Sequence, residues 1–198
     1  MAELKDYSGP FDPDLRLTDF SKEALTKLLV SASKAYIGMD GVWTTLMREK
    51  VGDRAAFDYD KEVWFGRALA LDMRRTVEPL GIKGNDIATL FKYWQCSPAF
   101  SVAYTGPAPD FEPQVHFELK NKNQGLMTVR RCYSLEYFER HHDGSLQKLA
   151  CDEIDALAWE WQAHKFNPNI KVRPLKMPPR KGEDDIACQW ELTLEDNP

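Results

Sequence analysis

The chain is predicted to fold as α+β, with an N-terminal helical lobe packed on a C-terminal antiparallel sheet that one helix crosses. Three observations predict this class. Apolar residues recur every three or four positions in the first half, they alternate with polar residues in the second half, and a single helical stretch interrupts the alternating segments. With 198 residues, 43% of them hydrophobic, the chain can bury one core, so a single domain is expected over 1–198.

The helical lobe is predicted over 20–97, after an extended arm at 1–19 that is rich in Pro, Gly and Asp. Ser21 is a suitable N-cap for the first helix, and Pro79 with Gly81 ends the third. The third helix is apolar on all sides, which is typical of a central helix. In order, the helices are predicted at about 21–38, 42–50, 60–77 and 85–95.

The sheet and its crossing helix are predicted over 98–196, where a turn-rich passage through Gly106, Pro107 and Pro109 comes first. A hairpin follows, then a helix, then two more alternating segments. The last strand has the clearest alternation in the chain. In order, we expect strands at 115–119 and 125–129, a helix at 152–165, and strands at 170–172 and 186–194.

Composition excludes several classes of function. A net charge of −5 provides no positive field for nucleic acid or an anionic bilayer, so neither is expected as a partner. The start of the chain lacks the apolar core of a signal peptide, and no apolar run is long enough to span a membrane. A cytoplasmic protein is therefore expected, with its four cysteines present as thiols rather than disulfides.

Four short motifs form an ordered string in the second half, and two more lie in the helical half. In chain order the string is Arg131-Cys132-Tyr133, Ala150-Cys151-Asp152-Glu153-Ile154-Asp155, Asn167-Pro168-Asn169-Ile170-Lys171-Val172 and Cys188-Gln189-Trp190-Glu191-Leu192. The other two motifs are Asp40-Gly41-Val42-Trp43 and Tyr59-Asp60-Lys61-Glu62-Val63-Trp64.

These motifs resemble the L-2-amino-thiazoline-4-carboxylic acid hydrolase-like family and a related uncharacterised bacterial family, over about Ser21 to Glu195. The resemblance implies a hydrolase in which water opens a small cyclic amidine. Members of the uncharacterised group often carry His where this chain has Met39, and two cysteines near its Pro174 to Pro178. A metal role at those positions is therefore not implied for this chain.

Cys151 is the first candidate nucleophile, because the sequence predicts it at the start of a helix, where the dipole lowers a thiol pKa. The acidic neighbours Asp152 and Asp155 oppose that effect. Buried packing, which is common for free cysteines, is the alternative for both Cys151 and Cys188. Cys132 lies among positive charges that favour a thiolate. We predict that the three thiols converge on one buried region.

Other candidate residues complete a predicted small-molecule site. Asp155 is a candidate to position an attacking water, and His116 is a candidate catalytic imidazole, although it could also face solvent. An arginine of the central helix is expected either to pair with an acid or to grip a substrate carboxylate, and indole rings are available to line the pocket, although most of them are expected in the core. The predicted substrate-binding residues are Arg75, Arg131, Cys132, Cys188, Trp64 and Trp43.

Three hypotheses follow for function. The first is a hydrolase of a cyclic amidine or amide that uses thiol or activated-water attack, and the second is a non-catalytic module that binds a small molecule in an aromatic pocket between the lobes. The third is a metal or redox protein using the three thiols. Their wide separation in sequence argues against zinc, so no metal and no cofactor are expected. The expected partner is a small-molecule ligand, with a homodimer left open.

Overall fold

The computed structural model describes residues 3–104 and 113–195. Helices occupy the N-terminal half and a four-stranded antiparallel sheet the C-terminal half, so the predicted α+β class is confirmed. The turn-rich passage through Gly106, Pro107 and Pro109 lies outside the described residues. Within the described part of the chain, no helix combines the length and apolar character needed to cross a bilayer.

The first helix, α1, is a single helix over Lys22–Val51. Ser21 caps it as predicted, its hydroxyl accepting from the Ala24 amide at 3.2 Å. The predicted end near Gly38 is wrong, because one glycine costs a helix only about 1 kcal/mol. The helix ends instead at Gly52, whose φ of 81° suits glycine.

The predicted central helix is broken into two. Helix α2 covers Asp53–Val63 and α3 covers Leu69–Val77, with extended backbone at Phe65 and a φ of 77° at Gly66 between them. Gly66 permits this kink, which the apolar pattern alone does not reveal. Helix α4 covers Ile87–Cys96, close to the prediction.

The predicted strands are all present. They are β1 (Val115–Asn121), β2 (Gln124–Val129), β3 (Ile170–Lys176) and β4 (Cys188–Leu194), in the order β1-β2-β4-β3. Helix α4 packs on one face of this sheet, and its Phe91 ring lies directly against Gly125 of β2. The Phe91 ring of the helical lobe thus packs directly on the main chain of β2 where the two lobes join.

Two helical segments lie between β2 and β3, where one was predicted. Helix α5 covers Tyr133–Arg140. After it, α6 (Gly144–Lys148), a π-helical turn (Leu149–Asp155) and α7 (Ala156–Phe166) follow one another with helical backbone torsions at each junction. The predicted start at residue 152 is wrong, because Asp143 is the N-cap and its side chain accepts from the Leu146 amide.

Candidate functional site

Three thiols come from three different elements. Cys132 is the N-cap of α5, Cys151 lies in the π-helical turn, and Cys188 begins β4. The Ala187 amide donates to the carbonyl oxygens of Val129 (2.8 Å) and Arg130 (3.2 Å), which holds the start of β4 beside the chain leading to Cys132. Cys132 and Cys188 both raise the pKa of the Cys151 thiol. The three thiols therefore share one buried region.

Cys151 does not stand at a helix start. The π-helical turn joins α6 to α7 without a break, so the amides around Cys151 are committed to helical hydrogen bonds and no dipole end faces its sulfur. Burial, followed by the charge of Asp155, holds the pKa of the Cys151 thiol well above its ordinary value. The predicted helix-terminus activation is therefore wrong.

Cys132 is the thiol that occupies a helix N-terminus. The amides of Leu135 and Ser134 lower its pKa, but burial and Asp155 outweigh them and raise it to about 11. The Tyr104 hydroxyl approaches its sulfur to 3.9 Å. A resting thiol, not a thiolate, is the form expected at neutral pH.

Cys188 also remains a thiol. Burial raises its pKa to about 12, although the Trp190 indole N–H donates to the sulfur at 3.2 Å and lowers it somewhat. None of the three clustered sulfurs is thus prepared to attack as a thiolate in the resting protein.

Asp155 is the group that all three thiols share. It ends the π-helical turn four positions after Cys151, so both side chains project from the same side of the helix. Its charge raises the pKa of Cys132, Cys151 and Cys188. Burial, followed by the charge of Asp40, raises the pKa of Asp155 itself to about 7.

Two further carboxyl groups face Asp155 from the helical lobe. Asp40 of α1 accepts a hydrogen bond from the Trp64 indole N–H at 3.0 Å, and burial raises its pKa. Asp60 of α2 is 6% exposed, and its pKa rises to about 7 because of burial and the charges of Asp40 and Asp155. Three acidic groups that oppose one another's ionisation therefore lie close together.

Ion pairs at the surface fix α2 against the π-helical turn. Glu153 accepts from Arg54 at 3.0 Å and from Lys61 at 2.9 Å, and both cations belong to α2. Exposed pairs of this kind contribute little to the stability of the fold, because water and salt screen them. Their main effect is on position, because they hold α2, which carries Asp60, against the turn that carries Asp155.

Metal binding finds no support in the arrangement of these side chains. Among residues 3–104 and 113–195, no three His, Cys, Asp or Glu side chains are placed to bind one ion.

His116 does not join the thiols. It pairs with Thr128, which pairs with Gln189, whereas Cys188 pairs with Val129, which pairs with Val115. Directly paired residues share a face of the sheet, and adjacent residues along a strand point to opposite faces. The sheet backbone thus separates the imidazole from Cys188, and the predicted Cys–His pair is absent.

The predicted arginines lie elsewhere as well. Arg131 is exposed and binds Glu136 through two contacts of 2.7 and 3.0 Å. Arg75 is exposed on α3, and its charge acts on Tyr36. Both arginines therefore interact with groups other than the thiols. The cation whose charge reaches Cys132 is Arg180, which sequence reasoning missed.

The predicted tryptophans serve two different places. Trp64 belongs to the carboxyl cluster through Asp40. Trp43 instead lines a small surface pocket of about 190 Å³ between α1 and α2. The other residues that line this pocket are Met47, Tyr59, Glu62, Val63 and Arg67.

Sequence reasoning also missed Asp40 and Asp60 as site residues, and a signal for Asp60 was present. It is three positions from Phe57 and four from Trp64, on the stripe of α2 that is buried. A charged residue on an apolar stripe has to be paired, neutralised or functional.

Searches of the chain against protein families, curated proteins and solved structures found no match. The assignment of chemistry therefore rests on the residues and geometry described above.

Proposed function

We propose that this protein is a hydrolase that opens a cyclic amidine or amide in a small molecule by attack of water, with Asp155 as the acid–base group. The observation that carries the proposal is the placement of Asp155 in one cluster with three thiols and two further carboxyl groups, where burial followed by the charge of Asp40 raises its pKa to about 7. A group with this pKa is present as both base and acid at neutral pH, which is the condition for efficient proton transfer in both directions.

The chemistry needs one proton carrier at the reacting carbon. The ionised Asp155 carboxylate takes a proton from water while the water oxygen bonds to the planar amidine or amide carbon. The resulting carboxylic acid returns that proton to the ring nitrogen as the carbon–nitrogen bond breaks. The net change is addition of one water, and Asp155 ends in its starting form.

Asp40 and Asp60 support this role through charge. Asp40 raises the pKa of Asp155, and Asp60 is itself raised to about 7 by Asp40 and Asp155. The cluster therefore holds protons that an isolated, exposed carboxylate would release. Loss of Asp40 should lower the pKa of Asp155 and displace the working pH downward.

The same observations favour water over a thiol as nucleophile. All three clustered thiols have pKa values well above neutrality, so very little thiolate is present for attack. Their weakly polar surfaces instead surround Asp155 and maintain the burial that raises its pKa. The substrate class comes from the family resemblance, which names a thiazoline carboxylate.

With this function we propose a cytoplasmic bacterial protein whose ligand is a small molecule. The net charge of −5 supports the absence of nucleic acid among its partners.

Turnover of a thiazoline carboxylate and of a panel of cyclic amides by three variants tests the proposal. Asp155→Asn should abolish hydrolysis, Cys151→Ser should retain most of it, and Asp152→Asn is the matched control at an exposed carboxyl three positions earlier. Full activity in Asp155→Asn, or loss confined to Cys151→Ser, would contradict activation of water by Asp155. An inactive parent protein would favour the binding function below.

The second candidate function is non-catalytic binding of a small molecule, and the Trp43 pocket favours it. The pocket combines an indole, a phenol and the Arg67 guanidinium in about 190 Å³, which suits a small aromatic carboxylate. It lies within the helical lobe, not between the lobes as predicted. Calorimetric binding of benzoate that Arg67→Ala removes, in a protein without hydrolase activity, would establish this function instead.

A further inference from the structure

Helix α1 has an apolar face that the residues described in the structure, 3–104 and 113–195, leave exposed. Only Val30 and Ser33 of its 30 residues are fully buried. On the opposite side, four large apolar side chains are between 50% and 68% exposed: Leu28, Met39, Val42 and Leu46. Monomeric proteins rarely expose a continuous apolar surface of this length, and one that is exposed usually marks an interface.

The exposed face follows the spacing of a coiled coil. Steps of four and three residues alternate without interruption along one line, through Leu28, Ala32, Ala35, Met39, Val42 and Leu46. This is the 3.5-residue period that keeps a seam facing a partner helix. The charged residues between these ends are Lys34 and Asp40, and neither falls on the seam. An uncharged seam is typical of the centre of an interface.

We propose that a second copy of this chain covers the face. The two α1 helices pack antiparallel around a twofold axis that crosses the seam at the level of residue Ile37 along the helix. In this arrangement Leu28 meets Leu46 of the second copy, Ala32 meets Val42, and Ala35 meets Met39. Each of the inner layers joins a large side chain to an alanine, so the layers have similar volumes. The proposal does not depend on the proposed hydrolase function.

A parallel pair would pack poorly by comparison. It would place alanine on alanine at 32 and 35 and methionine on methionine at 39, leaving a thin layer next to a crowded one. The size pattern of the seam therefore selects the antiparallel pair.

The area that this pairing would bury suits a modest dimer. The six side chains of the seam, four of them large and 50% to 68% exposed, would remove on the order of 500 Å² from water per copy. The two copies together would bury on the order of 1,000 Å². Specific interfaces begin at about this size, and the smaller ones are weak. We expect a dimer that dissociates on dilution.

Sedimentation velocity over a dilution series tests the proposal. The parent should pass from twice 22.8 kDa to 22.8 kDa on dilution. Met39→Glu and Val42→Glu change exposed residues, so each should fold normally by circular dichroism and raise the dissociation constant at least tenfold. The control Gly41→Glu adds the same charge to α1 at an exposed site off the seam, where a Cβ meets nothing within 4 Å, and should dimerise like the parent.

Cross-linking tests the orientation. In a Cys96→Ser background, which removes an exposed thiol, the pair Leu28→Cys and Leu46→Cys should give a covalent dimer on mild oxidation. Leu28→Cys alone should not, because the two sites would lie about 27 Å apart in the antiparallel pair. A dimer cross-linked by Leu28→Cys alone would overturn the antiparallel arrangement. A parent protein that is monomeric at every concentration would overturn the dimer. If that monomer bound phosphatidylcholine vesicles and Met39→Glu removed the binding, the face would be assigned to lipid.

Discussion

Replacing Asp155 by Asn should stabilise the protein above pH 7. The side chain keeps its shape, but it can no longer carry the charge that its buried surroundings oppose. A stabilising substitution at a functional position is the result expected of a strained catalytic group, since activity and stability make opposite demands there.

The magnitude follows from proton linkage. The pKa of Asp155 rises from 3.8 to about 7 in the folded protein, so between these values the folded state holds a proton that the unfolded state has released. Stability from this group is therefore present below pH 3.8 and is lost as the pH rises through about 7. At 1.36 kcal/mol per pKa unit, the loss is up to about 4 kcal/mol.

Urea unfolding, followed by tryptophan fluorescence on both sides of pH 7, measures the effect. Asp155→Asn should gain stability relative to the parent above pH 7, and the gain should shrink as the pH falls towards 4. A variant less stable than the parent above pH 7 would refute the reasoning from burial.

Asp72→Asn provides the matched control at another buried carboxyl. Asp72 accepts from the Tyr93 hydroxyl at 2.7 Å and the Ser97 hydroxyl at 2.8 Å, so it is well solvated by the protein. The same chemical change should therefore destabilise the protein, by about 1.5–3 kcal/mol. If the change in the free energy of unfolding has opposite signs at Asp155 and Asp72, then hydrogen bonding, and not burial alone, decides whether a carboxylate destabilises the fold.

Two further predictions concern packing and the thiols. Gly125→Ala should lower the free energy of unfolding by about 1–3 kcal/mol, because its Cβ would come within 2.5 Å of Phe91, and unchanged urea unfolding would contradict this contact. In the native protein Cys96, which is exposed, should react with Ellman's reagent well before the other three thiols, and fast reaction of Cys151 would contradict its raised pKa.

Local pattern was sufficient for much of the fold. Alternation identified all four strands, and Ser21 was correctly placed as a cap, because these signals depend on neighbouring residues only. The start of the second-half helix was misplaced because Asp152, Glu153 and Asp155 mimic the acidic first turn of a helix. The real cap is Asp143, and the acids lie inside a continuous helix, where Glu153 pairs with cations of α2 and the charge of Asp155 acts on the thiols.

The candidate site was only partly predictable for a related reason. Asp155 and the thiols could be chosen from their residue type and their position in a predicted helix or strand. The role of Asp40 and Asp60 instead arises from contacts between α1, α2 and the π-helical turn. Such contacts depend on tertiary packing, which the periodicity of a local stretch of sequence does not predict. His116 failed as a candidate for the converse reason, since its strand register places it across the sheet from Cys188.

Infrared difference titration of the carboxyl groups tests the central claim most directly, because it observes the proton on Asp155 without requiring a substrate. The parent should show a protonated carboxyl signal that disappears with a midpoint near pH 7, and Asp155→Asn should remove the component that belongs to Asp155, while Asp152→Asn leaves the whole signal unchanged. Asp60 contributes a second component with a similar midpoint, which Asp60→Asn should remove separately. A parent whose carboxyl groups are all ionised by pH 5 would contradict the claim that a buried carboxyl carries the proton at this site.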